Sequence, residues 1–302
     1  VGAAKDANVA IVNGEVAELG NRIGGYGSSS FVHSLAHQYI AVNLNPSTVS
    51  SIRNMSFYLV EEDEDKRAEI FENISPREQE FLRQAERLAT LNYNWGAAVV
   101  WFANRDRLFT GHEIEEGDYL VGLREEGFRS NGLSLVRRIM KQHHGEEWHT
   151  VPGKIGTRRY VDHALTPSRI YSGAVVEMFG GYDQDPKAEV HGVAHITGGG
   201  IPEKLGRILK PSGLGAIIDN PFEPGEFMKY TQALGNVPDV EAYKTWNMGQ
   251  GMIIATPNPD SVMEVAAGRA IESKVIGRVN SDSRIRIANK GAYASEQPEL
   301  IF

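Results

Sequence analysis

Residues 191–205 read HGVAHITGGGIPEKL. The apolar run at 190–196 predicts a strand, and residues 202–209, opened by Pro202, predict a helix. Between them stand Thr197, Gly198, Gly199 and Gly200. Consecutive glycines are costly to order, which favours a functional turn over a plain one. A strand, a glycine turn and a helix start together present free backbone N–H groups at a positive helix end, the outline of a phosphate cradle. The stretch is not a P-loop, since the lysine and the following Ser/Thr are missing. Its glycine spacing also differs from the dinucleotide fingerprint. His195 lies near the end of the strand and shares a face with His191, four residues earlier. A histidine there can act as a general base or anion donor near neutral pH. Most strand histidines are satisfied core residues, and only the adjoining glycine turn singles out His195.

The alternation continues on both sides of this stretch. Downstream, strands are predicted at 216–218, 252–255 and 274–279, with helices at 225–233, 240–246 and 259–270. Upstream, a helix at 168–179 is expected to open at Thr166-Pro167, another spans 132–140, and strands lie at 119–123 and 97–103. Such alternation indicates an α/β or α+β layered domain, and the domain boundary is placed near Gly122. The second glycine cluster, Gly127-Phe128-Arg129-Ser130-Asn131-Gly132, leads into the 132–140 helix. Ser130 or Asn131 is expected to cap it, and Arg129 adds charge to an anion site at its N-terminus. The same residues serve equally well as a plain capped helix start. Residues 243–252 (YKTWNMGQGM) read as helix, glycine turn and buried strand, with tight packing the better explanation for most of them. His143 and His144 fall in a polar stretch and read as surface.

The first part of the chain is less regular. Residues 9–12 (VAIV) suggest a short strand, followed by Asn13, Gly14, Glu15, Val16, Ala17 and Glu18. Carboxylates just after a strand can hold Mg²⁺ and a polyphosphate, although taken alone they read as a surface loop. Residues 24–30 (GGYGSSS) suggest a mobile loop and 61–65 (EEDED) a solvated acidic run. Ser75-Pro76-Arg77-Glu78 is a helix start, followed by an apolar stripe of Phe81, Leu82, Ala85 and Leu88.

Composition narrows the function. The 302 residues are 41% hydrophobic and 23% charged, which suits a folded globular chain. A net charge of −8 argues against a general nucleic-acid binder, which needs a basic face. Cysteine is absent, so disulfide and thiolate chemistry are excluded. No apolar run is long enough to span a bilayer and the first residues lack a signal-peptide layout, so the cytoplasm is the expected compartment. The chain opens without methionine, inside what reads as a helix, and is expected to be part of a longer protein.

Residues 122–138 (GLREEGFRSNGLSLVRR), 165–171 (LTPSRIY), 191–205 and 235–255 (GNVPDVEAYKTWNMGQGMIIA) together resemble the aminoimidazole ribonucleotide synthetase family, also called phosphoribosylformylglycinamidine cyclo-ligase. Its wider ATP-binding superfamily includes formylglycinamidine ribonucleotide amidotransferase, selenophosphate synthetase, thiamine-monophosphate kinase and a hydrogenase maturation protein. Residues 10–19 (AIVNGEVAEL) resemble the family's GGE segment, with Asn13 where glycine is usual and Val16 where Thr or Ser is usual. The resemblance implies a two-domain fold: an N-terminal barrel-forming, ATP-binding and dimerisation domain over 1–121, with an unusual insert at about 28–92, and a C-terminal α/β sandwich over 122–302. It implies an ATP-dependent cyclo-ligase of purine biosynthesis, acting through an iminophosphate, as a homodimer with ATP and Mg²⁺ and with no nucleic acid or membrane partner. From the turns and carboxylates described above, His195 is the catalytic candidate. Arg129, Ser130, Asn131, Gly132, Thr197, Gly198, Gly199 and Gly200 would hold substrate phosphate. Gly14 and Glu15 would hold nucleotide, and Glu15 and Glu18 the metal. The family's Asp-Gly-x-Gly-x-Lys motif and its later Asn-Asp pair are not in this sequence, so the chain alone is expected to turn over ATP poorly. A non-catalytic relative, or another kinase or synthetase of the superfamily, is the alternative.

Overall fold

The computed structural model describes residues 49–61, 63–90, 102–153, 155–156 and 158–302. These fall in two compact units, residues 49–90 and 102–302. The strand expected at 9–12, the loop at 24–30, the Gly14, Glu15 and Glu18 cluster and most of the strand expected at 97–103 lie outside the described residues.

The first unit is helical: α1 (Val49–Val60), α2 (Glu64–Glu72) and α3 (Pro76–Thr90). Asp63, from the acidic run, caps α2 by accepting the Lys66 N–H at 3.0 Å. Proline takes the first position of α3, where a missing N–H costs nothing. Met55, Tyr58, Ile74 and Leu82 form its buried core.

The second unit is a layered α/β structure. In chain order it contains β1 (Tyr119–Arg124), α4 (Leu133–His144), α5 (Tyr160–Ala164), α6 (Ser172–Phe179), β2 (Gly192–His195), α7 (Gly200–Leu209), β3 (Gly215–Ile218), α8 (Glu226–Leu234), α9 (Asp239–Thr245), β4 (Gln250–Thr256), α10 (Pro259–Gly268), β5 (Ser273–Asn280), β6 (Ile285–Ala288) and β7 (Glu299–Ile301). The strands make one sheet in the order β2-β4-β1-β5-β3-β6-β7. Its pairs are antiparallel except β3 with β6. Alternation along the strands sends Leu120, Ile253 and Ala255 into the larger core with residues of α4, α7, α8 and α9. Val121, Leu123, Met252 and Ile254 face the smaller core, with Ala174 and Met178 of α6 and Val262 and Ala266 of α10. Strand β1 runs through residues 121 and 122, where the sequence places the domain boundary.

Three expectations need correction. Helix α6 begins at Ser172 rather than 168, because the preceding chain is pinned to the end of β1. The Arg169 N–H donates to the Glu125 carboxylate at 3.2 Å and the Tyr171 hydroxyl to the Arg124 carbonyl at 2.7 Å. Strands β6 and β7 and helix α5 were not expected from the sequence. His144 is not a surface residue: it is half-buried, its ring lies 4.5 Å from that of Tyr160, and Nε2 is 3.0 Å from the Tyr230 hydroxyl.

Candidate functional site

Two turns leave strands that flank β4 and enter helices. The first follows β1. Its backbone is held by Asn247, whose side-chain amide donates to the Gly127 carbonyl at 2.8 Å while its oxygen accepts the Gly249 N–H at 2.9 Å. Phe128 is sealed against Phe227 and Trp246 in edge-on contacts. Arg129 then adopts φ 59, a left-handed conformation rare outside glycine. Such strain costs on the order of 1–3 kcal/mol and persists only where the surroundings impose it. Gly132, with φ 67, is the N-cap of α4 and makes no side-chain cap bond. This corrects the expected cap: Ser130 is exposed, Asn131 is half-buried, and neither stands at the N-cap. A Cβ on Gly132 would collide with the Trp246 indole, which explains the glycine.

The second turn follows β2, an outer strand whose His195 pairs with Met252 of β4. The Gly200 N–H closes it by donating to the Thr197 carbonyl at 2.8 Å. Gly199 (φ 95) and Gly200 (φ 61) are both left-handed. Gly200 also packs directly on the Tyr243 carbonyl, and the Glu203 side chain covers Gly199. Two of the three glycines therefore have a packing reason, contrary to the expectation from sequence. Gly198 has none: it is exposed, and a Cβ there would meet only Asn131 Oδ1, at 3.8 Å.

That contact sets the turns side by side. Gly132 rests on Thr245 and Trp246, and Gly200 on Tyr243 and Lys244, so the end of α9 supports both. This bears out packing as the main task of residues 243–252. Arg129 bridges the turns. Its Nη1 donates to Glu125 Oε2 at 3.0 Å, and its Nη2 lies 2.8 Å from His195 Nε2. The structure thus brings Arg129, Asn131, Gly198 and His195 together, with Ser130 at the rim; Thr197, Gly199 and Gly200 shape the second turn.

Glu125 was not singled out from the sequence. It is 3% exposed, and its carboxylate accepts from Arg129, the Arg169 N–H and, at 3.2 Å, a share of the Tyr171 hydroxyl proton that also reaches the Arg124 carbonyl. An unpaired buried carboxylate would cost several kcal/mol, and these three donors offset that cost. Burial and the Glu125 charge push the Tyr171 hydroxyl pKa well up, so it stays protonated as a donor. Partial burial lowers the His195 pKa, helped by the Arg129 and Lys204 charges. A concavity of about 660 Å³ opens nearby, lined by Glu125, Glu126, Ser168, Arg169, Gly173 and Arg269 among others; the glycine turns do not line it. Among the described residues no group of three His, Cys, Asp or Glu side chains is placed to hold a metal, and Gly14, Glu15 and Glu18 are outside them.

Comparison with known proteins gives a consistent result. A phosphoribosylformylglycinamidine cyclo-ligase of Methanopyrus kandleri is 37% identical over 171 residues, 56% of this chain and 46% of that protein. The one from Methanocaldococcus jannaschii is 38% identical over 184 residues, 60% of this chain and 50% of that protein. The chain thus spans about half the length of the curated relatives it matches. A thiamine-monophosphate kinase structure from Stenotrophomonas maltophilia aligns with a TM-score of 0.41 at 12% identity, over 63% of this chain and 56% of that one, a likeness too slight to carry weight. Residues 115–289, more than half of the chain, match the family model described as AIR synthase related protein, C-terminal domain, and the chain belongs to that family.

Proposed function

We propose that this chain carries the substrate-binding part of an ATP-dependent cyclo-ligase that converts formylglycinamidine ribonucleotide to aminoimidazole ribonucleotide. The observation that carries this reading is the convergence of Arg129, Asn131, the open backbone at Gly198 and His195 beside two helix starts. Helix N-termini and a guanidinium suit a ribose phosphate. An amide oxygen is a poor leaving group, so ATP first phosphorylates it. The internal amine then attacks the iminophosphate carbon, loses a proton, and inorganic phosphate departs with the C–O electron pair. Both reacting groups belong to one molecule, so orientation supplies much of the rate. In this reading Arg129, Ser130, Asn131, Gly132 and residues 197–200 hold phosphate, and His195 moves the proton. ATP with Mg²⁺ would bind through Gly14, Glu15 and Glu18. Residues 1–121, with the insert at 28–92, would form the barrel-building half of a cytoplasmic homodimer, and 122–302 the α/β half. A monomer in light scattering across micromolar concentrations would remove the dimer.

The test is binding of formylglycinamidine ribonucleotide to this chain by titration calorimetry. Saturable binding that weakens at least about tenfold in Arg129→Ala is expected, the scale of one charge-assisted contact. No binding, or equal affinity in the variant, would overturn the reading.

A further inference from the structure

Glu125 is buried, charged and unused by the chemistry above. It stands at one end of a line that runs from its carboxylate through the Arg129 guanidinium to the exposed His195 imidazole, with links of 3.0 and 2.8 Å. We propose that Glu125 is a positioning residue that holds Arg129 on Nε2 of His195, fixing the imidazole proton on Nδ1, and that a ligand phosphate releases Nε2 by drawing Arg129 away. The inference rests on the proposed function only for the identity of the ligand.

The donor inventory leaves one arrangement. A guanidinium has no acceptor, so His195 Nε2 must present its lone pair to Arg129. The ring is then neutral and its single proton sits on Nδ1. Two cations face the ring, Arg129 from the first turn and Lys204 from α7, the latter paired at 2.8 Å with Glu203; Met252 is its apolar neighbour on β4. None of these groups gives Nε2 a competing acceptor or Nδ1 a carboxylate. Glu125 is what keeps the guanidinium in place. With 12% of its side chain exposed, Arg129 would gain hydration by swinging outward, but the ion pair, the stack 5.3 Å from the Tyr171 ring and the left-handed backbone at Arg129 oppose that.

A phosphate bound against Asn131 and Gly198 would offer Arg129 a dianion in exchange for a neutral imidazole nitrogen. Nη2 can turn to it while Nη1 stays on Glu125. Nε2 is then free to take a proton: an N–H bond of an attacking amine breaks as the Nε2–H bond forms. The base is exposed only when the phosphate is bound, which guards against idle proton transfer.

The test uses the imidazole nitrogens themselves. In ¹⁵N-labelled full chain, the His195 resonances are expected to report the Nδ1–H tautomer with Nε2 accepting a hydrogen bond. In Glu125→Gln the population of the Nε2–H tautomer should rise and the His195 titration midpoint should move up. Arg129→Gln, which leaves Glu125 in place, should give the same two changes should Glu125→Gln fail to fold. Saturating ribose 5-phosphate should move the Nε2 resonance towards that of a free lone pair in the wild type, and leave it unmoved in Arg129→Gln. An Nε2–H tautomer in the wild type, or unchanged spectra in folded variants, overturns the positioning role. An Nε2 resonance indifferent to bound ribose 5-phosphate overturns the release. These readouts require no turnover, so failure of the cyclo-ligase reading leaves them standing.

Discussion

The backbone of Gly200 lies against the carbonyl of Tyr243 so closely that a side-chain carbon on Gly200 would overlap the oxygen. Backbone cannot yield as a side-chain tip can, and φ 61 adds strain for any L-residue. Gly200→Ala is therefore expected to cost about 3 kcal/mol or more. Gly198→Ala meets only Asn131 Oδ1 at 3.8 Å and should stay within about 0.5 kcal/mol of wild type. Urea denaturation of the two variants checks this, and equal losses would show that the turn is not anchored as described. If Gly198 is where a phosphate approaches, its variant should lose ligand affinity while keeping its midpoint.

Asp239 opens α9 and is 4% exposed. Its carboxylate accepts from Gln232 Nε2, from Asn289 Nδ2 at 2.6 Å and from the Tyr293 N–H at 3.3 Å. It thereby ties residues 289–293 to α8 and α9. Asp239→Ala leaves the Gln232 and Asn289 amides with one acceptor each, the Val237 and Gln297 carbonyls, and takes the acceptor of the Tyr293 N–H, so a loss of about 3 kcal/mol follows. Thermal unfolding should register it, with no need for ligand. A variant within about 1 kcal/mol of wild type would mean that water replaces the carboxylate.

His191 should give stability a pH dependence of definite sign. Burial lowers its pKa, but hydrogen bonds to Asp118 at 2.8 Å and Glu189 at 3.2 Å, with the charges of both, outweigh that and raise it above 6.5. A raised histidine pKa contributes stability that is complete below the unfolded value and is lost as pH rises through the folded one. The gap between wild type and His191→Gln should accordingly be widest below pH 6.5 and close above the folded pKa. His195, shifted the opposite way, is present in both proteins and cancels in the difference. A gap that widens with pH would reverse the assignment.

Local signals explain which parts of this molecule were legible. Helices α7, α8, α9 and α10 and strands β4 and β5 each carry their own apolar period, and the expected spans fall within a few residues of those observed. Strands β6 and β7 do not. Ile285, Arg286 and Ile287 offer one brief alternation, and Leu300 is the single buried residue of β7. Their pairing is decided by neighbours elsewhere in the sheet. The glycine turns were visible as composition, but the reason for each glycine was not: Gly200 answers to Tyr243 and Gly132 to Trp246, both far along the chain. Glu125 stands beside Glu126 in the sequence, with no local sign of burial. Its burial depends on donors 44 and 46 residues later, beyond the reach of any local pattern. The one local relationship it has is its spacing of four residues from Arg129, its ion-pair partner.

Strand β1 has β4 on one side and β5 on the other, so both of its hydrogen-bonding edges wait for residues 250 to 280. A ribosome adding roughly 5–20 residues per second needs on the order of 6–26 s to supply the intervening stretch of about 130 residues. For that interval the Leu-Val-Gly-Leu centre of β1 has emerged ahead of β4 and β5, the strands it pairs with here. The nascent chain is thus most vulnerable to mispairing over that window, and chaperone occupancy on it should fall only once β4 and β5 have left the tunnel.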